Sequence, residues 1–228
     1  MGEYYKWVNI DKHEYISPGE FDYGNKYWET MHRDSEPTLA LYVLVNDRWK
    51  GDHILWFGDE TPLTGEEPYE VIRTLYKESV DFDYPGDANG MINDSYRNVS
   101  GLFSGAEEYV RSEIEAYIED QRNHTGYYIH NEFGIDMDHP FDGLFMEKGR
   151  RFRYTINHTK KVAYSLNETK ILYLSRQECD FADPLPVLLG YGKVGAPGLW
   201  VGDRISASDE LPSGYTLLEE VILNHQFT

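Results

Sequence analysis

Val8-Asn9-Ile10-Asp11-Lys12-His13 is answered 148 residues later by Ile156-Asn157-His158-Thr159-Lys160-Lys161. A second pair follows in the same order: Trp49-Lys50-Gly51-Asp52-His53-Ile54 and, 151 residues on, Trp200-Val201-Gly202-Asp203-Arg204-Ile205. A third keeps the register at an offset of 150, Asp59-Glu60-Thr61-Pro62-Leu63-Thr64-Gly65 against Asp209-Glu210-Leu211-Pro212-Ser213-Gly214. Three landmarks in one order read as an internal duplication.

Each copy begins as a β-hairpin. Tyr5 and Trp7 alternate with Lys6, Asn9 to Lys12 supply a turn, and Tyr15-Ile16 return. Phe152, Tyr154 and Ile156 repeat the alternation, turn at His158-Thr159 and return through Val162. The continuous apolar run Leu39–Val45 reads as a central strand with His53–Phe57 as its partner, and Pro186–Leu189 with Leu199–Ala207 as the second version. Thr64 and Glu67 have capping-box spacing ahead of a helix to Lys77, and residues 25–33 read as a short helix. A closing helix is expected from Thr216, with Leu218, Val221 and Ile222 inward. Residues 78–103 read as loop, and a helix over 104–122 is capped by Ser104 and boxed by Glu107.

The fold class expected is α+β: two repeated β-hairpin-rich units, 1–76 and 151–228, packed together around an inserted acidic segment, 77–150, that carries the helix.

Composition narrows the function. The 228 residues are 40% hydrophobic and 15% aromatic, enough to build a core despite a net charge of −19. That charge is uneven. Residues 1–76 hold 7 basic and 15 acidic side chains, net −8; residues 77–150 hold 6 and 16, net −10; the remainder is net −1. Such a field repels nucleic acid and attracts cationic surfaces. No apolar run approaches the roughly 18–20 residues of a membrane span, the first residues lack a secretory pattern, and Cys179 is the one cysteine. A cytoplasmic protein with no direct nucleic-acid or membrane contact is expected.

The run Tyr5–Ile16 (Tyr-Lys-Trp-Val-Asn-Ile-Asp-Lys-His-Glu-Tyr-Ile), with the later Trp-Lys-Gly-Asp-His-Ile at 49–54, resembles a family of uncharacterised bacterial, archaeal and phage proteins. The second copy is similar to shorter stand-alone members. The likeness touches about two thirds of the chain. It implies an intracellular accessory protein and supplies no site residues.

Chemistry is sparse. Asp52 and Asp203 with Trp49 and Trp200 suggest two related acids and two stacking platforms lining a cleft; the same residues equally suit a turn that any duplicated hairpin needs. Gly190-Tyr191-Gly192-Lys193-Val194-Gly195 matches Gly-X-Gly-X-X-Gly, but no helix follows, so the dinucleotide reading fails. What remains is a loop able to cradle an anion through backbone N–H groups, with Gly192 and Lys193 at hand, or a plain hairpin loop. His130, Glu132, Asp136, Asp138 and His139 include metal-ligand types without a standard spacing. No cofactor is expected, and a divalent metal stays open. Cys179, between Glu178 and Asp180, is not an activated thiol.

No catalytic set emerges. The first expectation is a non-catalytic acidic binding protein, of the inhibitor, immunity or anti-defence type, whose Glu108, Glu113, Glu115, Glu119 and Asp120 meet a cationic protein partner. The alternative is a small-molecule or nucleotide-binding protein or hydrolase using a cleft between the two copies.

Overall fold

A computed structural model describes residues 2–27, 29–81, 86–103, 149–193 and 196–223, with 112 and 116 besides. Apart from 112 and 116, the acidic helix expected over 104–122 lies outside those residues, as do the metal-ligand types at 130–139 and the five acids expected to meet a partner.

Both hairpins form. β1 (Tyr5–Asn9) pairs antiparallel with β2 (Glu14–Ile16), and β5 (Tyr154–Asn157) with β6 (Val162–Tyr164). Each turns on an asparagine: Asn9 Oδ1 accepts from Lys12 N, and Asn157 Oδ1 from Lys160 N, both at 2.9 Å. Each turn also ends on a left-handed residue, His13 at φ 52° and Lys161 at φ 53°.

The Leu39 run is not a strand. It lies within helix α1 (Glu36–Asn46), which starts with Pro37 in its first turn. Proline fixes the φ a helix needs there and gives up only an N–H that has no intrahelical partner. Its flanks are apolar nearly all round because the helix is enclosed, and enclosure erases the 3.6-residue period. Pro186–Leu189 likewise falls in a short helix, which we number α4 (Leu185–Leu189), again with proline in the first turn. A strand does follow each helix: β3 (Asp52–Gly58) as expected, and β9 (Arg204–Ser208), which starts five residues later than the expected Leu199 because 199–202 form a turn.

Thr64 and Glu67 do bond, Thr64 N donating to Glu67 Oε1 at 2.6 Å, but they close a turn, and α2 starts only at Glu70 (Glu70–Ser79). Residues 78–103 hold more than loop: α3 (Ala88–Ser95), capped by Asp87, and β4 (Arg97–Asn98), which pairs with β2. The 25–33 helix shrinks to a single 3₁₀ turn, Glu29–Met31. In place of a closing helix stand two short strands, β10 (Thr216–Leu217) and β11 (Glu220–Ile222). They pair parallel with β6 and with β7 (Lys170–Leu172), so distant partners rather than local spacing decide them.

The architecture is α+β. One large mixed sheet runs β10-β6-β5-β9-β3-β1-β2-β4, and β8 (Gly190–Tyr191) joins the far end of β3. Helices cover both faces. Trp7, Ile54, Trp56 and Ile205 meet α1 and α4 in the larger core. Val8, Leu55 and Phe57, their alternates along the same strands, meet α2 and α3 in the second. β3 is therefore buried on both sides from Ile54 to Gly58. Under α1, Tyr42 and Tyr164 donate to the fully enclosed Asp183 carboxylate at 2.5 and 2.7 Å. Among the described residues no helix is long and apolar enough to cross a membrane.

Candidate functional site

The two Trp-X-Gly-Asp stretches take one shape. Trp49 N donates to Leu44 O and Trp200 N to Leu188 O, both at 2.7 Å, so each tryptophan is tied back to the last turn of its helix, Trp49 three residues on and Trp200 after β8 and a loop. Asp52 N and Asp203 N return to the tryptophan carbonyls at 3.1 and 3.0 Å. Gly51 and Gly202 both sit at φ 78°, the left-handed conformation in which a side chain is strained.

The aspartates face the hairpins. Asn9 Nδ2 donates to Asp52 Oδ2 at 2.9 Å and Asn157 Nδ2 to Asp203 Oδ2 at 2.7 Å; Lys12 and Lys160 pair with the same oxygens. The landmark acids match too, Asp59 Oδ1 accepting from Tyr4 N and Asp209 Oδ1 from Arg153 N. Asp52 and Asp203 are thus already engaged by their own asparagine and lysine.

The indoles are enclosed. Trp49 is 0% exposed and donates through Nε1 to Glu14 Oε2 at 2.8 Å, while Trp200 is 3% exposed and leans on Tyr164. Burial raises the Glu14 carboxyl, but hydrogen bonds from Arg48 and Trp49 outweigh it and hold it below its usual range. The glycine loop also finds its anion within the chain. Glu3 Oε1 accepts from Lys193 N at 2.9 Å and from Thr61 Oγ1 at 2.7 Å, and Lys193 Nζ reaches Glu60 at 3.1 Å. At Gly192 a Cβ would run into the Tyr5 hydroxyl, so the loop backbone packs against that ring. Asp52, Asp203, Trp49, Trp200, Gly192 and Lys193 all lie outside the cleft at the seam of β3 and β9.

That cleft, of about 600 Å³, opens where β3 meets β9. Its walls are Ile10, Asp11, His53, Val201, Gly202 and Arg204 from the two strand entries, and Pro68, Tyr69, Glu70, Val71 and Thr74 from the start of α2. His53 and Arg204 are direct antiparallel partners, so their side chains leave the same face of the sheet. Asp11 joins them. Its Oδ1 lies 2.9 Å from His53 Nδ1, its Oδ2 accepts from His53 N at 2.9 Å, and Arg204 Nη1 stands 3.4 Å from Oδ2. Burial pulls the Asp11 carboxyl up, yet the hydrogen bonds from the His53 ring and backbone, with the charges of His53 and Arg204, hold it below the ordinary range.

At the corresponding place in the second hairpin, Arg204 N donates to Thr159 Oγ1 at 3.0 Å. The backbone contact recurs while the side chains change from Asp11 with His53 to Thr159 with Arg204. The difference is present in the two quoted stretches, but Asp11, His53 and Arg204 are far apart in the chain and form no motif, so the sequence does not bring them together. Among the described residues no group of three or more metal-binding side chains occurs. No family model, curated protein or solved structure matches the chain.

Proposed function

We propose that this chain binds a small anionic molecule in the cleft at the β3–β9 seam, on a scaffold of two duplicated hairpin units, 1–76 and 151–228. The recurring asparagines, lysines, aspartates and tryptophans serve the scaffold, since each is bound to another member of the set. The observation that carries the binding reading is Arg204. Its Nη1 is used by Gly51 O at 2.9 Å and by Asp11, while its Nε and Nη2 have no partner among the described residues, and it lines a cleft. A guanidinium with two adjacent unused donors matches a carboxylate or phosphate in fork geometry. The first turn of α2 has no side-chain cap and forms the opposite wall, where its dipole favours negative charge.

The test is a thermal-shift and NMR titration against nucleotides, inorganic phosphate and divalent metals. A shift lost in Arg204→Ala but kept in Lys193→Ala supports the cleft. A shift indifferent to Arg204 rejects it.

A second reading rests on charge alone. Net −8 over 1–76 and −10 over 77–150 form a field suited to steering a cationic protein, as an inhibitor or immunity-type protein needs. Binding of such a partner would weaken steeply with added salt and with reversal of Glu113, Glu115 and Glu119; salt-indifferent binding would remove this reading.

A further inference from the structure

His53 is held from one side only. Asp11 takes the ring at Nδ1 through both oxygens, at 2.9 and 3.1 Å, and Asp11 is itself fixed by the His53 backbone N–H. A carboxylate can only accept, so the proton of the neutral ring stays on Nδ1 and the Nε2 lone pair is left exposed. Nε2 has no partner among the described residues, and the side chain is 27% exposed at the cleft wall. No hydroxyl among the described residues bonds Nε2, so any nucleophile it activates is water. Arg204, which shares the Asp11 carboxylate, sets a fixed positive charge beside it.

Resting on the cleft being a ligand site, we propose that Asp11, His53 and Arg204 form a hydrolytic centre for a small phosphodiester. A diester carries one negative charge on two non-bridging oxygens, which suits one guanidinium fork; a dianionic monoester suits it less in a chain of net −19. The organic part lies against Tyr69, Val71 and Val201. A water molecule gives its proton to His53 Nε2 as its oxygen bonds phosphorus. The bond from phosphorus to the leaving oxygen, on the side opposite the attack, breaks; that oxygen takes a proton from solvent water, and Nε2 gives its proton back to solvent. One water is consumed, and a phosphomonoester and an alcohol are released. Asp11 is a positioning residue: it sets the tautomer and steadies the imidazolium that forms in between. Arg204 stabilises charge on the non-bridging oxygens.

The full chain is assayed with bis(p-nitrophenyl) phosphate and 2′,3′-cyclic AMP, with p-nitrophenyl acetate as a neutral-ester control. Turnover of a diester is expected, falling roughly 10²- to 10⁴-fold in His53→Gln. Arg204→Ala raises KM, and Asp11→Asn lowers kcat. Nitrogen-15 NMR reads the ring directly: an Nδ1–H tautomer in the parent chain, mixed tautomers in Asp11→Asn. Thermal unfolding of each variant separates lost chemistry from lost fold, and the tautomer decides should His53→Gln not fold. No diester turnover, turnover unchanged in His53→Gln, or an Nε2–H tautomer in the parent overturns the proposal. Arg204-dependent phosphate binding without turnover removes the hydrolase and leaves the binding cleft; loss of both removes both.

Discussion

Asn157 donates to Asp203 Oδ2 at 2.7 Å, and Asn9 makes the same bond to Asp52 at 2.9 Å, but the two aspartates differ in burial. The Asp203 side chain is 7% exposed and that of Asp52 13%. Removing either carboxylate strands the amide of a fully buried asparagine, while Lys12 and Lys160, both part-exposed, turn back to water; the cost rises with how little water can enter where the carboxylate stood. Asp203→Ala should cost about 2 kcal/mol and Asp52→Ala about half that, on the scale of a buried donor left without its acceptor. Urea unfolding measures both. Equal costs would mean that solvent access does not govern this staple.

The Asp183 carboxylate takes three donors, the hydroxyls of Tyr42 and Tyr164 and the backbone N–H of Leu185 at 3.0 Å, and it is 0% exposed. Burial, and then the Asp183 charge, pushes both phenols well above their ordinary range, so they remain donors. Tyr42→Phe removes one donor from an enclosed acceptor and should cost about 1–3 kcal/mol. Asp183→Ala should cost more than Tyr42→Phe, because it strips the shared acceptor from both phenols and from the Leu185 N–H, leaving the hydroxyls only each other and Thr155. The comparison by urea unfolding fails if Asp183→Ala is the milder change.

His158 lies between two hydroxyls, Nδ1 to Tyr215 Oη at 2.8 Å and Nε2 to Ser206 Oγ at 2.7 Å. Burial, with the Lys50 charge, lowers its pKa below the ordinary 6.5. The unfolded chain therefore binds the proton first. Stability contributed by neutral His158 is intact above pH 6.5, falls as the pH drops from there to the folded value, and then levels off. His158→Gln should flatten that part of the stability curve relative to the parent chain. An unchanged slope would mean that the imidazolium is tolerated in the fold.

Hairpins, Asn turns and the two glycine corners were legible because short-range chemistry decides them. Pro37 and Pro186 also announced helices, but the apolar runs around them carried no period, since α1 and α4 are covered on nearly every side. β10 and β11 could not be read locally: Thr216 pairs with Val162 and Val221 with Ile171, partners some 50 residues away. The candidate site was not legible for a different reason. The residues common to the two quoted stretches stand out in the sequence, and Asp52, Asp203, Trp49 and Trp200 are all spent on the scaffold. Asp11, His53 and Arg204 stand where the two stretches differ, Asp11 against Thr159 and His53 against Arg204.

Gly51 and Gly202 share a φ of 78° but not their surroundings. A Cβ on Gly51 meets nothing within 4 Å, whereas one on Gly202 comes 2.9 Å from Val71 Cγ1, on the first turn of α2. Gly51→Ala should therefore cost only the left-handed strain, about 1–2 kcal/mol. Gly202→Ala adds a clash that α2 relieves by moving off the seam, and Val71 and Gly202 are both walls of the cleft. It should be the more destabilising of the two, and it should also weaken phosphate binding, which Gly51→Ala leaves nearly intact. Adding Val71→Ala to Gly202→Ala removes the clashing methyl and should restore part of the binding. Unfolding curves and an NMR phosphate titration on the three variants decide it. If Gly202→Ala binds as the parent does, the α2 wall is not part of the site.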